Sequence, residues 1–238
     1  MKNIAVIFAG GVGQRMTMAT KPKQFLEVNG KPILVYTLEK FHTHPQIDGI
    51  ILVCVEGWID YAQKLIRRYD LTKVETVIPG GVNGHQSRMI GLRKAKELYG
   101  DSVVLIHDGV RPLIDHATIS KCIDSVHSSG SAVVATPAVE TIAMDDDNSG
   151  VSIVAREKCS MLRAPQCFYL NEILSLFDRA EAEGHHDFID AATIMQYYNK
   201  PITIVQGPAE NIKITTPLDY FMFKGILEIR NNQEVFGI

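Results

Sequence analysis

"IAVIFAGGVGQRMTMATKPKQFL", residues 4–26, joins an apolar run to Gly10, Gly11 and Gly13 and then to Arg15, Lys21 and Lys23. The run has no alternation of polar and apolar residues, so it reads as a strand buried on both faces, the pattern of a parallel sheet. In such sheets ligands bind outside the carboxyl ends of the strands, and the first strand usually feeds that crevice. The segment from Ala9 to Gln24 is therefore the first candidate site. Its glycines let backbone N–H groups approach an anion with no Cβ in the way, and Arg15, Lys21 and Lys23 add positive charge, which together suit a triphosphate. A dinucleotide fingerprint would need a third glycine where Met16 stands and a helix where Pro22 interrupts, so a dehydrogenase is excluded. The lysine-bearing P-loop pattern is absent as well.

Outward from this stretch, "GIILVCV", "VETVI", "SVVLIH", "SAVVATP" and "PITIVQG" repeat the short β-branched signal. Between them "KPILVYTLEKFHTH", "WIDYAQKLIRRY", "QSRMIGLRKAKELYG", "DHATISKCIDSVHSS" and "DAATIMQYYNK" carry apolar residues three and four apart, the helical period. Strand alternating with helix predicts a doubly wound α/β domain, a mostly parallel sheet with helices on both faces. The chain of 238 residues, 46% hydrophobic, can form one such domain over 1–238.

A formal charge of −3 gives no electrostatic reason to expect a nucleic-acid or membrane surface. No apolar stretch approaches the roughly 20 residues that span a bilayer. Cys54, Cys122, Cys159 and Cys167 are scattered with no paired spacing, which fits reduced structural thiols and a cytoplasmic protein. The alternation breaks between Glu140 and Cys167, where "DDDNSG" separates two β-like pieces. A hairpin arm spanning 138–167 is expected there, and because a hairpin cannot bury both faces alone, dimerisation through it is expected too.

The stretch "AGGVGQRM…KPKQFLEVNGKPILVYTLEKF" resembles the start of the sugar-phosphate nucleotidyltransferases, and "PKQF" resembles their CTP-using branch. That branch includes the 2-C-methyl-D-erythritol 4-phosphate and the ribitol-5-phosphate cytidylyltransferases. "GG…S…GL" at 80–92, "HDGVRPLI" at 107–114, "APQCF" at 164–168 and "NIKITTPLD" at 211–219 follow in the order these enzymes share. The resemblance implies attack of an alcohol phosphate on the α-phosphorus of CTP, with release of pyrophosphate. A phosphate monoester is largely ionised at neutral pH, so charge neutralisation and in-line positioning are needed rather than a general base.

The resemblance assigns Arg15, Lys23 and Lys213 to the phosphates as the catalytic cations. It assigns Ala9, Gly10, Gly11, Gly13, Gly81 and Ser87 to the nucleotide. Asp108 is assigned to Mg2+ held against the triphosphate, with Glu210 assisting through water. Arg111, Thr141, Arg156 and the position of Ile189 fall to the acceptor, the arm residues reaching into a neighbouring protomer. Val110, Trp58 and a loop one residue longer between Arg15 and Lys23 lean toward a ribitol 5-phosphate acceptor; methylerythritol phosphate is the alternative. Gly84, Ala164 and Ile189 depart from the Arg, Thr and Thr usual in relatives and leave room for another polyol phosphate. A silent nucleotide-binding protein is the reading from another class, opposed by Arg15, Lys23, Asp108, Arg156 and Lys213 occurring together. His85 reads as a solvent-facing loop residue, and His42, His44, His185 and His186 read as surface or helix-end residues lacking a third metal ligand.

Overall fold

The computed structural model describes residues 1–10, 21–146 and 150–236. Gly11, Gly13, Arg15, Met16 and Asp147 therefore lie outside the described residues.

The first strand, β1 (Lys2–Ala9), is buried from Asn3 to Ile7 and places Ala5, Ile7 and Ala9 on one face of the sheet and Ile4 and Val6 on the other. A small ribbon, β2 (Glu27–Val28) and β3 (Lys31–Pro32), precedes α1 (Ile33–His42). Then β4 (Gly49–Cys54), α2 (Ile59–Arg68), β5 (Val74–Pro79), α3 (Gly84–Tyr99), β6 (Ser102–Asp108), α4 (His116–Ser129) and β7 (Ser131–Pro137) follow in alternation. The predicted doubly wound sheet is thus observed. Two helices stop where their caps predict: Asn83 and Asp115 accept N–H bonds at the starts of α3 and α4, and Gly130 closes α4 with a positive φ.

The remainder comprises β8 (Ile142–Asp146), β9 (Gly150–Val154), β10 (Ser160–Tyr169), α5 (Leu170–Ala182), α6 (Ala191–Tyr197), β11 (Ile204–Gln206) and α7 (Pro217–Phe236). The seven-stranded sheet has the order β11-β7-β10-β6-β1-β4-β5, parallel except for β10, which runs against both neighbours. Helices α1, α2 and α4 cover one face, α3, α5 and α6 the other, and α7 packs on a small third cluster with Val28, Val110 and Ile214.

The arm expected over 138–167 is narrower than that. Only β8 and β9 pair as an isolated hairpin, whereas Ser160–Tyr169 lies in the central sheet between β6 and β7. The long apolar segment through Ala164–Phe168 is buried because it is core strand. The sequence reading also passed over α5 and α7.

This topology builds one functional edge. The strand order reverses at β1, with β4 on one side and β6 on the other, so the chain ends leaving Ala9 and Asp108 open a crevice. Because β10 is antiparallel, its beginning reaches that same edge. The segment following β11 reaches it too, where Ile214 N–H donates to the Val110 carbonyl at 2.9 Å.

Candidate active site

A cavity of about 640 Å³ occupies this edge. One wall is the junction between β5 and α3. Gly81 N–H donates to Ser87 Oγ at 3.1 Å, and that hydroxyl donates to the Asn83 carbonyl at 2.8 Å. A Cβ on Gly80 would stand 3.0 Å from Ser87 Oγ, so the glycine lets this junction fold tightly, while Gly10 faces the same hydroxyl at ordinary contact distance. Gln24 closes the corner by donating from Nε2 to the Ala9 carbonyl at 2.6 Å. Ala9, Gly10, Lys23, Gly81 and Ser87 all line the cavity. Behind Lys23 the ring of Phe25 stacks on Trp58 at 5.0 Å, so the tryptophan acts as a prop for the basic segment.

The floor is Asp108. Lys213 Nζ lies 2.8 Å from its Oδ1, and Arg111 Nε lies 2.8 Å from its Oδ2. Burial would push this carboxyl up, but the charges of Lys213 and Arg111 overcome it and hold the group well below the usual carboxylate range. Beside it, burial pushes the fully enclosed His107 down to about 4, so the imidazole is neutral and serves as a brace to the Arg111 carbonyl at 3.1 Å. The far wall is β10 and the start of α6. Gln166 donates to Asp190 at 2.9 Å and accepts the N–H groups of Ala191 and Ala192 at 3.0 Å each. Asp190 caps α6, which leaves the exposed Ile189 side chain beside the cavity mouth.

Of the residues singled out from sequence, Ala9, Gly10, Lys23, Gly81, Ser87, Asp108, Arg111, Ile189 and Lys213 meet around this one cavity. Thr141 and Arg156 do not line it; Arg156 is exposed on the arm and donates to the Val139 carbonyl at 3.1 Å. Glu210 is also elsewhere, paired with Arg230 at 2.6 Å. One histidine reading is corrected, and His44 stands at the end of α1 as expected but without surface exposure. His85 is 2% exposed, its ring packed against Phe177 and Phe188 in the first turn of α3. His44 is fully buried, with Nε2 3.0 Å from Ser120 Oγ.

Two cationic wall residues escaped the sequence reading. Arg88 donates to the Phe188 carbonyl at 3.1 Å and to that of Ile189, fixing the segment before α6. Gly84 lies one turn earlier, and a Cβ there would come within 3.7 Å of the Arg88 guanidinium. The Arg88 guanidinium thus lies beside position 84, at ordinary contact distance from where a side chain would begin. Arg163 on β10 is the other. Its signal was present in "LRAPQCF", as a charge immediately before a buried run.

Glycine-lined loops, several cations and the Asp108 carboxylate at the switch point of a doubly wound sheet are the features of a nucleotidyltransferase. The sequence profile of the 2-C-methyl-D-erythritol 4-phosphate cytidylyltransferases (IspD) matches residues 3–229, and the chain belongs to that family. It is 49% identical to a ribitol-5-phosphate cytidylyltransferase of Streptococcus agalactiae, with 100% of both chains covered. Against a 2-C-methyl-D-erythritol 4-phosphate cytidylyltransferase of Clostridium botulinum it is 35% identical, covering 95% of this chain and 98% of the relative. The crystal structure of 4-diphosphocytidyl-2C-methyl-D-erythritol synthase from Anaerococcus prevotii superposes with a TM-score of 0.83 at 26% identity, covering 95% of this chain and 96% of that one.

Proposed function

We propose that the chain transfers CMP from CTP to ribitol 5-phosphate, forming CDP-ribitol and pyrophosphate. The observation that carries the reaction type is the convergence of Lys23, Lys213 and Arg111 on a cavity whose floor is one carboxylate. Such a site supplies charge and position. Its buried histidine, His107, is neutral and directed to a backbone carbonyl, and the acceptor's already ionised phosphate needs no base. The choice of ribitol 5-phosphate is supported by the 49% full-length identity to the ribitol enzyme against 35% to the methylerythritol enzyme. Val110, which lines the cavity, and Trp58, which supports the Lys23 segment, are consistent with it.

In this reading the cytidine end lies along Gly10, Gly81 and Ser87, and Lys23 and Lys213 flank the α-phosphate. Each stabilises the charge that grows as the pentavalent transition state forms, and loss of one such donor costs about 3 kcal/mol in comparable sites. Arg15, with Gly11 and Gly13, would complete the triphosphate contacts from outside the described residues. Among the described residues no cluster of three metal-ligating side chains exists. A protein-only metal cage is therefore a poor fit, but one carboxylate facing the phosphates suits Mg2+ that arrives on the nucleotide, and Asp108 would hold it. When bound, the ion would supply charge neutralisation of the triphosphate.

The arm carries Thr141 and Arg156 away from this cavity and exposes Met144, Val151 and Ile153 at 56%, 65% and 68%. A homodimer in which the partner's arm meets the acceptor side accounts for both features, and sedimentation of the full chain tests it. A reducing, cytoplasmic setting is consistent with four free cysteines, three of them buried, and with the lack of any described helix long and apolar enough to cross a membrane. The deciding assay compares ribitol 5-phosphate and methylerythritol phosphate with CTP, following pyrophosphate. Higher kcat/KM with ribitol 5-phosphate is expected; equal or higher kcat/KM with methylerythritol phosphate overturns the assignment.

A further inference from the structure

Arg163 sits where β10 leaves regular pairing. Leu162 pairs with Ala135 and Gln166 with Val133, so the pairing shifts register across the residues between them. Irregularities of this kind re-aim side chains, and here one sets the half-buried Arg163 into the cavity wall. Its Nε donates to Thr136 Oγ1 at 3.1 Å and its Nη1 to the Asn211 carbonyl at 2.8 Å. The same carbonyl accepts from Arg111 Nη1 at 2.9 Å. Two guanidinium groups therefore converge on one backbone oxygen.

Their charges are not balanced. Asp108 is paired with Arg111 and also with Lys213, and among the described residues no carboxylate lies within ion-pair distance of Arg163. Among the described residues Nη2 of Arg163 makes no hydrogen bond, so the fork keeps donors for something that enters. Two cations on one carboxylate, with a third guanidinium sharing a carbonyl with one of them in a concave and half-buried wall, form a site that an anion completes.

We infer that Arg163 and Arg111 form a phosphate-binding fork for the acceptor, with Arg163 as a substrate-binding residue. This rests on the acceptor being an alcohol phosphate, as proposed above. The position selects the acceptor over the nucleotide. Gly10, Gly81 and Ser87 lie on the β1-β4-β5 side of the switch point, whereas both arginines lie on the β6-β10-β7 side. An acceptor phosphate held there lies across Asp108 and Lys213 from the nucleotide loops, so it meets the α-phosphorus from the opposite side.

Arg163→Gln and Arg163→Lys in the full chain test this, each compared with the wild type by steady-state kinetics with CTP and ribitol 5-phosphate. The glutamine variant is expected to raise the KM for ribitol 5-phosphate at least tenfold and to leave the KM for CTP within twofold. The lysine variant, which keeps the charge and loses the fork, is expected to raise the acceptor KM less, about three- to tenfold, and provides the test if the glutamine variant does not fold. In parallel, inorganic phosphate is titrated without CTP and followed by thermal shift, expected to bind the glutamine variant at least tenfold more weakly. Unchanged phosphate affinity, or a CTP KM rising as much as the acceptor KM, overturns the inference. The phosphate titration reads Arg163 even if ribitol 5-phosphate is not turned over, an outcome that would instead remove the acceptor assignment.

Discussion

Asp108→Asn separates what the carboxylate does for the fold from what it does for the reaction. The carboxylate faces Lys213 and Arg111 at 2.8 Å each, with side-chain exposures of 44% for Lys213 and 12% for Arg111. Unit charges at that distance interact by about 1.5 kcal/mol in a medium like water and about 6 kcal/mol at an effective dielectric near 20. Lys213, nearly half in solvent, belongs near the lower value, where surface pairs contribute little net stability. Arg111 belongs nearer the upper, but desolvation of both ions offsets most of it. The amide keeps one oxygen acceptor while losing the charge, so the net cost is about 2–3 kcal/mol. For a chain of this length that is a fall of roughly 5–10 °C in Tm. Thermal unfolding in metal-free buffer measures it. The variant also leaves Arg111 and Lys213 without a counter-charge beside the already unpaired Arg163, so pyrophosphate should raise its Tm more than that of the wild type. Loss of turnover alone would not test this reasoning. A variant with wild-type Tm and a wild-type pyrophosphate shift would refute it.

Further outcomes follow from other contacts. A Cβ on Gly91 would stand 2.6 Å from Val6 Cγ1 and 3.0 Å from Val53 Cγ2, both stiff side chains in the sheet. Gly91→Ala should therefore lower Tm by roughly 3–6 °C, an overpacking cost of about 1–3 kcal/mol outweighing the gain in helix propensity; a raised Tm would contradict the packing. Burial, then the charges of Arg88 and His186, lower the pKa of His85 below 6.5, with Glu181 and Asp187 acting weakly the other way. The unfolded chain then binds the extra proton first, so the stability from the neutral ring is present above about pH 6.5 and is lost as pH falls toward the folded pKa. His85→Leu should flatten the decline of Tm between pH 7 and 5, read by thermal scans across that range. Arg88→Met frees the carbonyls of Phe188 and Ile189 and should raise the acceptor KM several-fold while the CTP KM changes little; steady-state kinetics with both substrates decide this.

The fold was legible wherever one physical signal governed a whole element. Strands buried on both faces announce themselves as unbroken β-branched runs, and the parallel strands β1, β4, β6 and β7 were found that way. The antiparallel β10 was misread because its flanks carry polar and charged residues for opposite reasons. Ser160 and Met161 are exposed where β10 pairs with the end of β7 and not yet with β6, whereas Arg163 lines the cavity. Helix α7 was missed because it covers only a small cluster through residues such as Phe223, leaving Leu218, Phe221 and Ile229 exposed and the helical period blurred. His85 went wrong for a related reason: a polar residue beside a glycine-rich turn looks solvated until Phe177 and Phe188, about a hundred positions away, close over it.

The site shows a similar division. Residues that line the cavity from a strand end or a tight loop, such as Gly81, Asp108 and Lys213, stand in short motifs and can be picked out singly. Residues whose value is relational cannot. Arg163 is significant only because an antiparallel strand brings it to the carbonyl that Arg111 also uses, and Arg88 only because the segment before α6 returns its carbonyls to that guanidinium. Arg163 lines the cavity beside the departure at Ala164, and Arg88 holds the carbonyl of Ile189. On the side proposed for the acceptor, Ala164 and Ile189 stand where relatives carry threonine hydroxyls, and the guanidinium of Arg163 lines the same wall. Substitutions that exchange these groups should therefore alter which alcohol phosphate is accepted while leaving CTP recognition in place.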